Sequence, residues 1–178
     1  TVLETIDRYR SEGFPLDVFV IDTDWRVGAS RGYEISPEHF PDMRRALAAC
    51  RNRGVHTLFN DHPEPREFAP LDAGLFRYRY ENLLRLVDLG LTTWWFDRNW
   101  RQIIEGPAPG LETAVWGQKL YWDILSSRSP ETRTVLLSMT ADHPASHRYP
   151  LWWTGDNESD WRALGQAVRD TVDNGLQL

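Results

Sequence analysis

The chain alternates between short continuous apolar runs and longer stretches in which apolar residues recur every three or four positions. A continuous apolar run is typical of a strand buried on both faces, and the longer spacing is typical of an amphipathic helix. The pattern therefore predicts strands and helices in regular alternation. Strands are predicted at residues 17–22, 55–60, 91–96, 134–138 and 151–153, and helices at residues 1–13, 41–54, 75–89, 111–125 and from 157 or 159 onward.

Regular alternation of strand and helix is typical of βα units and predicts an α/β fold with a parallel sheet. The segment 26–35 contains Gly28 and Gly32 and is predicted to be a surface loop. Five strands are compatible with an open sheet and equally with part of an eight-stranded barrel, so the pattern leaves both possible. The last helix is predicted to pack through an apolar stripe of Trp161, Leu164, Val168 and Val172.

Asp97 follows the most aromatic of the predicted strands, Leu91–Phe96. Trp94, Trp95 and Trp100 lie beside it along the chain and are expected to crowd the same rim. In parallel sheets wrapped by helices, the carboxyl ends of the strands form the rim where enzymes place their chemistry. A lone aspartate after a strand is more often a cap for the next turn. The tryptophans favour a second interpretation, because flat indole surfaces suit the faces of sugar rings.

The same design recurs near the end of the chain, where Trp152 and Trp153 precede Asp156. Two carboxylates that flank one bond can divide the work, one attacking and the other donating a proton. Capping explains any single one of these aspartates well, but several on one rim beside tryptophans predict a carbohydrate-active site. The strand-end aspartates are Asp22, Asp24, Asp61, Asp97 and Asp156.

Composition narrows the choice of partners. The net charge of −6, without any basic run, argues against nucleic acid and against an anionic membrane surface. No apolar stretch is long enough to cross a bilayer. The single cysteine, Cys50, excludes an intrachain disulfide and is expected in a helix core. Nine tryptophans are the compositional outlier.

A metal site is the competing interpretation of the strand-end residues. Histidines could join Asp22, Asp24 and Asp61 around a metal, as in an amidohydrolase-like barrel. Such sites usually carry closely spaced histidine pairs on one strand, and the sequence has none. We therefore predict no metal, and we expect His56 to be a satisfied core residue of its strand. The other candidate histidines are His62, His143 and His147.

Six short segments occur in an order and spacing that can be compared with a known family: Leu16–Val18, Ile21–Trp25, Phe40–Met43, Trp95–Asn99, Arg148–Tyr149 and Trp153–Asp156. Together they resemble glycoside hydrolase family 31, retaining α-glycosidases on a (β/α)8 barrel that include α-glucosidases and α-xylosidases. The resemblance covers essentially the whole chain. It implies that residues 1–178 are part of a catalytic TIM barrel, about strands two to six of eight. Strands one, seven and eight would then belong to the remainder of the same polypeptide.

The resemblance also implies roles for individual residues. Asp97 corresponds to the nucleophile and Asp156 to the general acid/base, and burial of Asp156 beside its tryptophans is expected to keep it protonated. Asp22 corresponds to the aspartate that binds the outer hydroxyls of the sugar in the −1 subsite. An oligosaccharide or glycoside is the implied substrate, and no cofactor is needed. Further substrate-binding positions are Trp25, Asp61, Trp95, Arg148 and Trp153.

Two departures from the family pattern affect function. Where many members have Asp-Met-Asn-Glu around the nucleophile, this chain has Asp97-Arg98-Asn99-Trp100. The usual Ser-Arg-Ser after the fifth barrel strand reads Ser138-Met139-Thr140, so the arginine that contacts substrate and nucleophile is missing. Arg98 offers a positive charge, but neighbouring residues along a strand point to opposite faces. Substrate preference is therefore open. The alternative to an active enzyme is a catalytically inactive sugar-binding or scaffold barrel of the same fold.

Overall fold

The computed structural model describes residues 1–28, 31–61, 73–97, 122–131, 133–138, 151–153 and 155–175. Its helices are α1 (Val2–Ser11), α2 (Met43–Asn52), α3 (Ala73–Leu89), α4 (residues 122–128) and α5 (Trp161–Gly175). Its strands are β1 (Val18–Ile21), β2 (Arg26–Gly28), β3 (Arg31–Ile35), β4 (His56–Asp61), β5 (Thr93–Phe96), β6 (Leu136–Ser138) and β7 (Leu151–Trp152), with a short 3₁₀ helix at Thr23–Trp25.

The main sheet has five strands in the order β1-β4-β5-β6-β7, and every neighbouring pair is parallel. Each strand thus pairs with the next one predicted along the chain, which confirms the parallel βα arrangement. A helix intervenes between successive strands as far as the structure describes them, namely α2, α3 and α4. All carboxyl ends therefore lie at one edge, with Asp97 directly after β5 and Asp156 in the segment after β7.

The two faces of this sheet carry different residues because successive side chains along a strand point to opposite sides. Phe59 and Trp94 are partners in register and are both fully buried in the main core, where α3 contributes Leu83. Phe59 also stacks against Trp25, with ring centroids 5.4 Å apart. The next pair in register, Asn60 and Trp95, therefore faces away from this core. This alternation decides which side chains lie on the face of the sheet that is directed away from the core.

The segment predicted as the surface loop 26–35 is a β-hairpin, in which β2 and β3 pair antiparallel. Val27 is exposed as expected, but Arg26 and Tyr33 are buried against the main sheet. The prediction was wrong because polar and aromatic residues beside glycines were interpreted as solvent-facing. The buried Arg26 is stabilised by Asp61 on β4. The local sequence pattern does not reveal this partner.

The apolar stripe of α5 is present but faces solvent, contrary to the prediction that it packs inward. Trp161 is 88% exposed and Leu164, Val168 and Val172 are each more than half exposed. Among the described elements, none covers this face. The amphipathic segment therefore forms a helix without a packing partner in the described part of the chain. The predicted cap at Asn157 or Ser159 is also wrong, since the Asp160 carboxylate accepts from the backbone N–H of Ala163 at 2.7 Å.

The first strand is also less buried than its continuous apolar run predicted. Val18 and Val20 are 38% and 46% exposed, whereas Phe19 packs against the core and Ile21 lies within it. Val18 and Val20 lie on the same face of β1, and that face is only partly covered by the described residues. His56, the partner of Val18 in register on β4, is likewise exposed, and the expectation of a core histidine is wrong. Cys50 is buried as predicted.

Candidate active site

Asp97 lies at the carboxyl end of β5 and is only 7% exposed. Its Oδ2 accepts a hydrogen bond from Nδ2 of Asn60 at 2.8 Å. Asn60 is the penultimate residue of β4 and is itself 1% exposed. A carboxylate held by a side-chain amide on a neighbouring strand has a defined orientation, because hydrogen bonds to an ionised acceptor are the stronger kind. The sheet thus fixes the predicted nucleophile at the rim.

Two indole rings contact each other near the carboxyl ends of their strands. Trp95 and Trp153 meet edge to face, with centroids 4.8 Å apart and planes at 88°. Trp95 lies in register with Asn60, and Trp153 follows β7 and donates its backbone N–H to the Ser138 carbonyl at 2.9 Å. Strands two positions apart in the sheet therefore contribute one aromatic corner. Such a corner can bind the apolar face of a sugar ring.

Trp94 does not belong to this corner, although it neighbours Trp95 in sequence. It is fully buried on the opposite face, in edge contact with Trp25 and Phe59. The sequence-based expectation that Trp94 crowds the rim is therefore wrong. Strand alternation sends it to the core.

Asp156 lies after β7 and is exposed, so its expected burial beside Trp152 and Trp153 is wrong in this structure. Trp153 turns toward Trp95 instead of covering Asp156. Gly155 adopts a φ of +89°, which residues other than glycine rarely adopt. Its carbonyl accepts a hydrogen bond from Nδ2 of Asn157 at 3.0 Å. Gly155 and Asn157 immediately precede and follow the predicted acid/base residue in sequence.

Asp22 directly follows β1 at the same edge of the sheet and is exposed. Its Oδ1 accepts from the backbone N–H of Thr23 at 2.7 Å, and it is the N-cap of the 3₁₀ helix Thr23–Trp25. The capping role that sequence analysis offered for strand-end aspartates is therefore present. The predicted role of Asp22 in binding sugar hydroxyls stays a prediction.

Asp61 lies on the face opposite Asp97, within the contacts between the hairpin, β4 and α3. It is fully buried, and its carboxylate accepts from Nη1 of Arg26 at 3.2 Å and from the hydroxyl of Tyr33 at 2.9 Å. Arg79 on α3 places its Nη1 3.6 Å from the same carboxylate. Burial raises the pKa of the Tyr33 hydroxyl, so it stays protonated and donates. These contacts give Asp61 a structural role in the described structure.

Trp25, predicted to bind substrate, is also enclosed by protein. Its ring is fully buried, and its Nε1 donates to the Asn60 carbonyl at 2.8 Å. Nη2 of Arg26 donates to the same carbonyl at 2.9 Å, and its guanidinium carbon lies 4.5 Å from the Trp25 ring centroid. Trp25 and Arg26 therefore hold the backbone of Asn60 from behind the sheet.

The buried ion-pair network predicts a large effect on stability. Replacing Asp61 with alanine should lower the free energy of unfolding by about 3–5 kcal/mol, because Arg26 and Arg79 would lose their buried carboxylate. The side chains of these arginines are 1% and 3% exposed, so water cannot replace it. Chemical denaturation of the complete protein measures the change.

A matched control is Asp88, whose carboxylate pairs with Arg128 at 2.9 Å while both side chains are about half exposed. Asp88→Ala should cost less than about 1 kcal/mol. Equal effects of the two substitutions would contradict a structural role for the buried network.

Several predicted residues fall outside the residues that the structure describes: Arg148, Arg98, Trp100, His62, His143 and His147. Within the described ranges, no group of three histidine, cysteine, aspartate or glutamate residues could hold a metal ion. Among the described helices, none has the length and apolar character needed to cross a membrane.

Sequence reasoning missed Asn60, Arg26, Tyr33 and Arg79. Asn60 carried a signal, because a polar residue near the end of an otherwise apolar strand is unusual and faces the rim. The two arginines and the tyrosine carried none, since their partner is a carboxylate distant in sequence.

A sequence model of one family, described as "Glycosyl hydrolases family 31 TIM-barrel domain", matches residues 1–65 and 77–177. An alpha-xylosidase of Emericella nidulans is 23% identical over 222 residues, an alignment that covers 99% of this chain and 28% of the relative. This chain thus spans less than a third of that relative's length.

Solved structures show the same fold. The GH31 alpha-xylosidase of Xanthomonas citri superposes with a TM-score of 0.69 at 15% identity, covering 99% of this chain and 25% of that one. A GH31 family sulfoquinovosidase from E. rectale, in complex with an aza-sugar inhibitor, gives 0.67 at 11% identity, covering 89% and 32%. A GH31 alpha-xylosidase from a soil metagenome, complexed with xylose, gives 0.58 at 17% identity, covering 92% and 31%. The five parallel strands are therefore part of a (β/α)8 barrel.

Proposed function

This chain belongs to glycoside hydrolase family 31, and from that membership we propose that it carries both catalytic carboxylates of a retaining α-glycosidase. Asp97 is the nucleophile and Asp156 the general acid/base. The observation that carries the proposal is the buried carboxylate of Asp97, held at the strand-end rim by Asn60, whose partner in register, Trp95, contacts Trp153. Residues 1–178 then form part of a catalytic barrel that the rest of the polypeptide completes.

The reaction proceeds in two displacements. Asp97, ionised, attacks the anomeric carbon and forms a covalent glycosyl-enzyme while the bond to the leaving oxygen breaks. Asp156 donates its proton to that oxygen, so the leaving group departs as an alcohol. The same carboxylate then takes a proton from water, which attacks the anomeric carbon and releases Asp97. Two inversions restore the α configuration.

The proton donor must be covered when substrate is bound, because a carboxyl group stays protonated near neutral pH only where its charged form is disfavoured. Asp156 is exposed in the described part of the chain. In the proposal, the sugar and the completed barrel exclude water from it. No metal or organic cofactor takes part in either displacement.

The substrate is a terminal α-linked glycoside, with α-xyloside and α-glucoside as the first candidates. An alpha-xylosidase is among both the sequence relatives and the similar structures. In the proposal, Trp95 and Trp153 bind the sugar face, Asp22 and Arg148 bind its hydroxyls, and Trp25 and Asp61 support the rim from the core. Because Met139 stands where the family has an arginine, the preference among these sugars stays open.

The stereochemistry of the product tests the retaining assignment. We expect NMR of the first-formed sugar from an α-linked aryl glycoside to show the α anomer, with β appearing only by mutarotation. In the substrate complex, the carboxyl groups of Asp97 and Asp156 should then be about 5–5.5 Å apart, compared with roughly 6.5–9.5 Å in an inverting enzyme. A β anomer as first product would refute the mechanism.

The absence of the family arginine, with Met139 in its place, favours a second candidate: a barrel that binds sugar without hydrolysing it. A 2-fluoro glycosyl fluoride distinguishes the two functions. Its good leaving group allows formation of the glycosyl-enzyme, while the fluorine at position 2 slows hydrolysis of that intermediate. An active enzyme gains the mass of one sugar on Asp97. A barrel that only binds sugar is stabilised against unfolding by the sugar but gains no mass.

A further inference from the structure

We propose that Asn60 performs two tasks in this site: its amide nitrogen positions the Asp97 carboxylate, and its amide oxygen accepts a hydroxyl of the bound sugar. The indole N–H of Trp95 is the matching donor to that sugar. The proposal rests on the proposed function above and adds to it a positioning residue and a polar substrate contact.

The contact with Asp97 fixes the orientation of the Asn60 amide. An ionised carboxylate can only accept hydrogen bonds, so the group 2.8 Å from Asp97 Oδ2 is Nδ2 of Asn60. Asn60 cannot turn its oxygen toward Asp97 without placing two acceptors in contact. The remaining atom, Oδ1, is therefore directed elsewhere by the chemistry of its neighbour.

The backbone of Asn60 is held as firmly as its side chain. Its carbonyl accepts from Nε1 of Trp25 at 2.8 Å and from Nη2 of Arg26 at 2.9 Å. Nη1 of Arg26 in turn pairs with Asp61, on the face opposite Asp97. A residue clamped in this way transmits its position to the group it contacts, as a preorganised site requires.

Asn60 Oδ1 and Trp95 Nε1 are buried atoms with no hydrogen-bond partner among the described residues. Asn60 and Trp95 face each other in register on adjacent strands, on the face that carries Asp97. An acceptor and a donor on residues in register on adjacent strands suit a hydroxyl group, because a hydroxyl both donates and accepts. Buried polar atoms in native sites are normally satisfied, which points to the sugar as their partner when it is bound.

The first arm of the test is the pH dependence of kcat/KM in the complete enzyme. Asn60→Asp places a second carboxylate against Asp97, and the repulsion makes ionisation of the pair harder. Because attack needs ionised Asp97, the acid limb should move to higher pH by about one unit or more. The other charged groups close to Asn60 on the described elements, Asp61 and Arg26, are paired with each other and remain so.

The matched control is Asn82→Asp. Asn82 lies on α3, where its Nδ2 donates to the Tyr78 carbonyl at 2.8 Å. The substitution adds the same charge away from the rim and should leave the acid limb in place. An unmoved acid limb in Asn60→Asp, or an equal movement in both variants, would overturn the positioning role.

The second arm measures the hydroxyl contact with monodeoxy α-glycosides. At one ring position, the deoxy substrate should lose kcat/KM in the wild type, and this loss should shrink in Asn60→Ala and in Trp95→Phe, which lacks the N–H. Asn60→Ala itself should lower kcat/KM about 10–100-fold, mainly through kcat. Deoxy penalties that stay unchanged in both variants would overturn the substrate contact.

Rates of the variants that retain Asp97 are normalised to the fraction of protein that forms a glycosyl-enzyme with the 2-fluoro glycosyl fluoride, so that misfolded protein is not counted. The outcome also separates two failures. Turnover that survives in Asp97→Ala would refute the proposed function itself. Loss of turnover in Asp97→Ala together with wild-type behaviour of every Asn60 variant would refute only this inference.

Discussion

Replacing Asp97 with alanine is expected to lower kcat/KM of the complete enzyme by on the order of 10⁴-fold or more, which corresponds to at least about 5.5 kcal/mol of transition-state stabilisation. The glycosyl-enzyme cannot form without this carboxylate. Direct attack by water on the anomeric carbon offers no path with a similarly low barrier. The buried position of Asp97 means that the variant leaves a small cavity beside Asn60. Steady-state kinetics on an aryl α-glycoside measure the loss.

That cavity provides a diagnostic rescue. Azide can enter it and attack the anomeric carbon from the side that Asp97 occupied, in a single displacement that inverts the configuration. We expect Asp97→Ala with azide to give a β-glycosyl azide from an α-glycoside. Asp88→Ala, which removes a half-exposed carboxylate paired with Arg128, should retain activity and give no azide product. An α-glycosyl azide from Asp97→Ala would contradict its assignment as nucleophile.

The positions of the strands could be predicted because the apolar run that specifies each strand lies within the strand itself. The apolar runs that form β4, β5 and β6 are short and continuous, and each lies within or close to its predicted range. Parallel pairing in sequence order follows from the helices between the strands. Asp97 was found by the same logic, since the residue after a buried strand must lie at the rim.

The direction of the side chains near the rim was harder to predict. Asn60 and Asp61 are adjacent, and both are polar at a strand end, yet one contacts Asp97 and the other contacts Arg26 and Arg79. A shift of one residue exchanges the two faces of a strand. A motif comparison without the register therefore selected Asp61 for the substrate, whereas in the structure it is Asn60 that contacts Asp97.

Long-range electrostatics and packing account for the remaining differences. The hairpin 26–35 looked like a polar loop because the carboxylate that satisfies Arg26 and Tyr33 lies on β4. The stripe of α5 looked like a core face because amphipathic periodicity reports that a helix has an apolar side, and does not report what covers it. Burial of charge and exposure of apolar surface both depend on partners that are distant in sequence.

Replacing Asp156 with alanine should produce a loss that depends on the leaving group, and this dependence distinguishes it from the loss of Asp97. With an alkyl or sugar leaving group, kcat/KM should fall about 10²–10⁴-fold, because the departing oxygen is poorly stable without a proton. With a glycosyl fluoride or a nitrophenyl glycoside, formation of the glycosyl-enzyme should be nearly unchanged, since these groups leave as weak bases.

The second displacement in Asp156→Ala should then become slow, because no general base activates water. The glycosyl-enzyme should accumulate on Asp97, giving a burst of nitrophenol followed by a slow steady rate. Azide needs no base, so it should speed that steady rate and give an α-glycosyl azide by a second inversion, the opposite anomer from Asp97→Ala. Asp160→Ala is the matched control, because that carboxylate only caps α5 and its loss should leave kinetics with both substrate types unchanged. Equal losses with good and poor leaving groups in Asp156→Ala would show that Asp156 is not the proton donor, since a residue that merely binds sugar cannot sense how basic the leaving oxygen is.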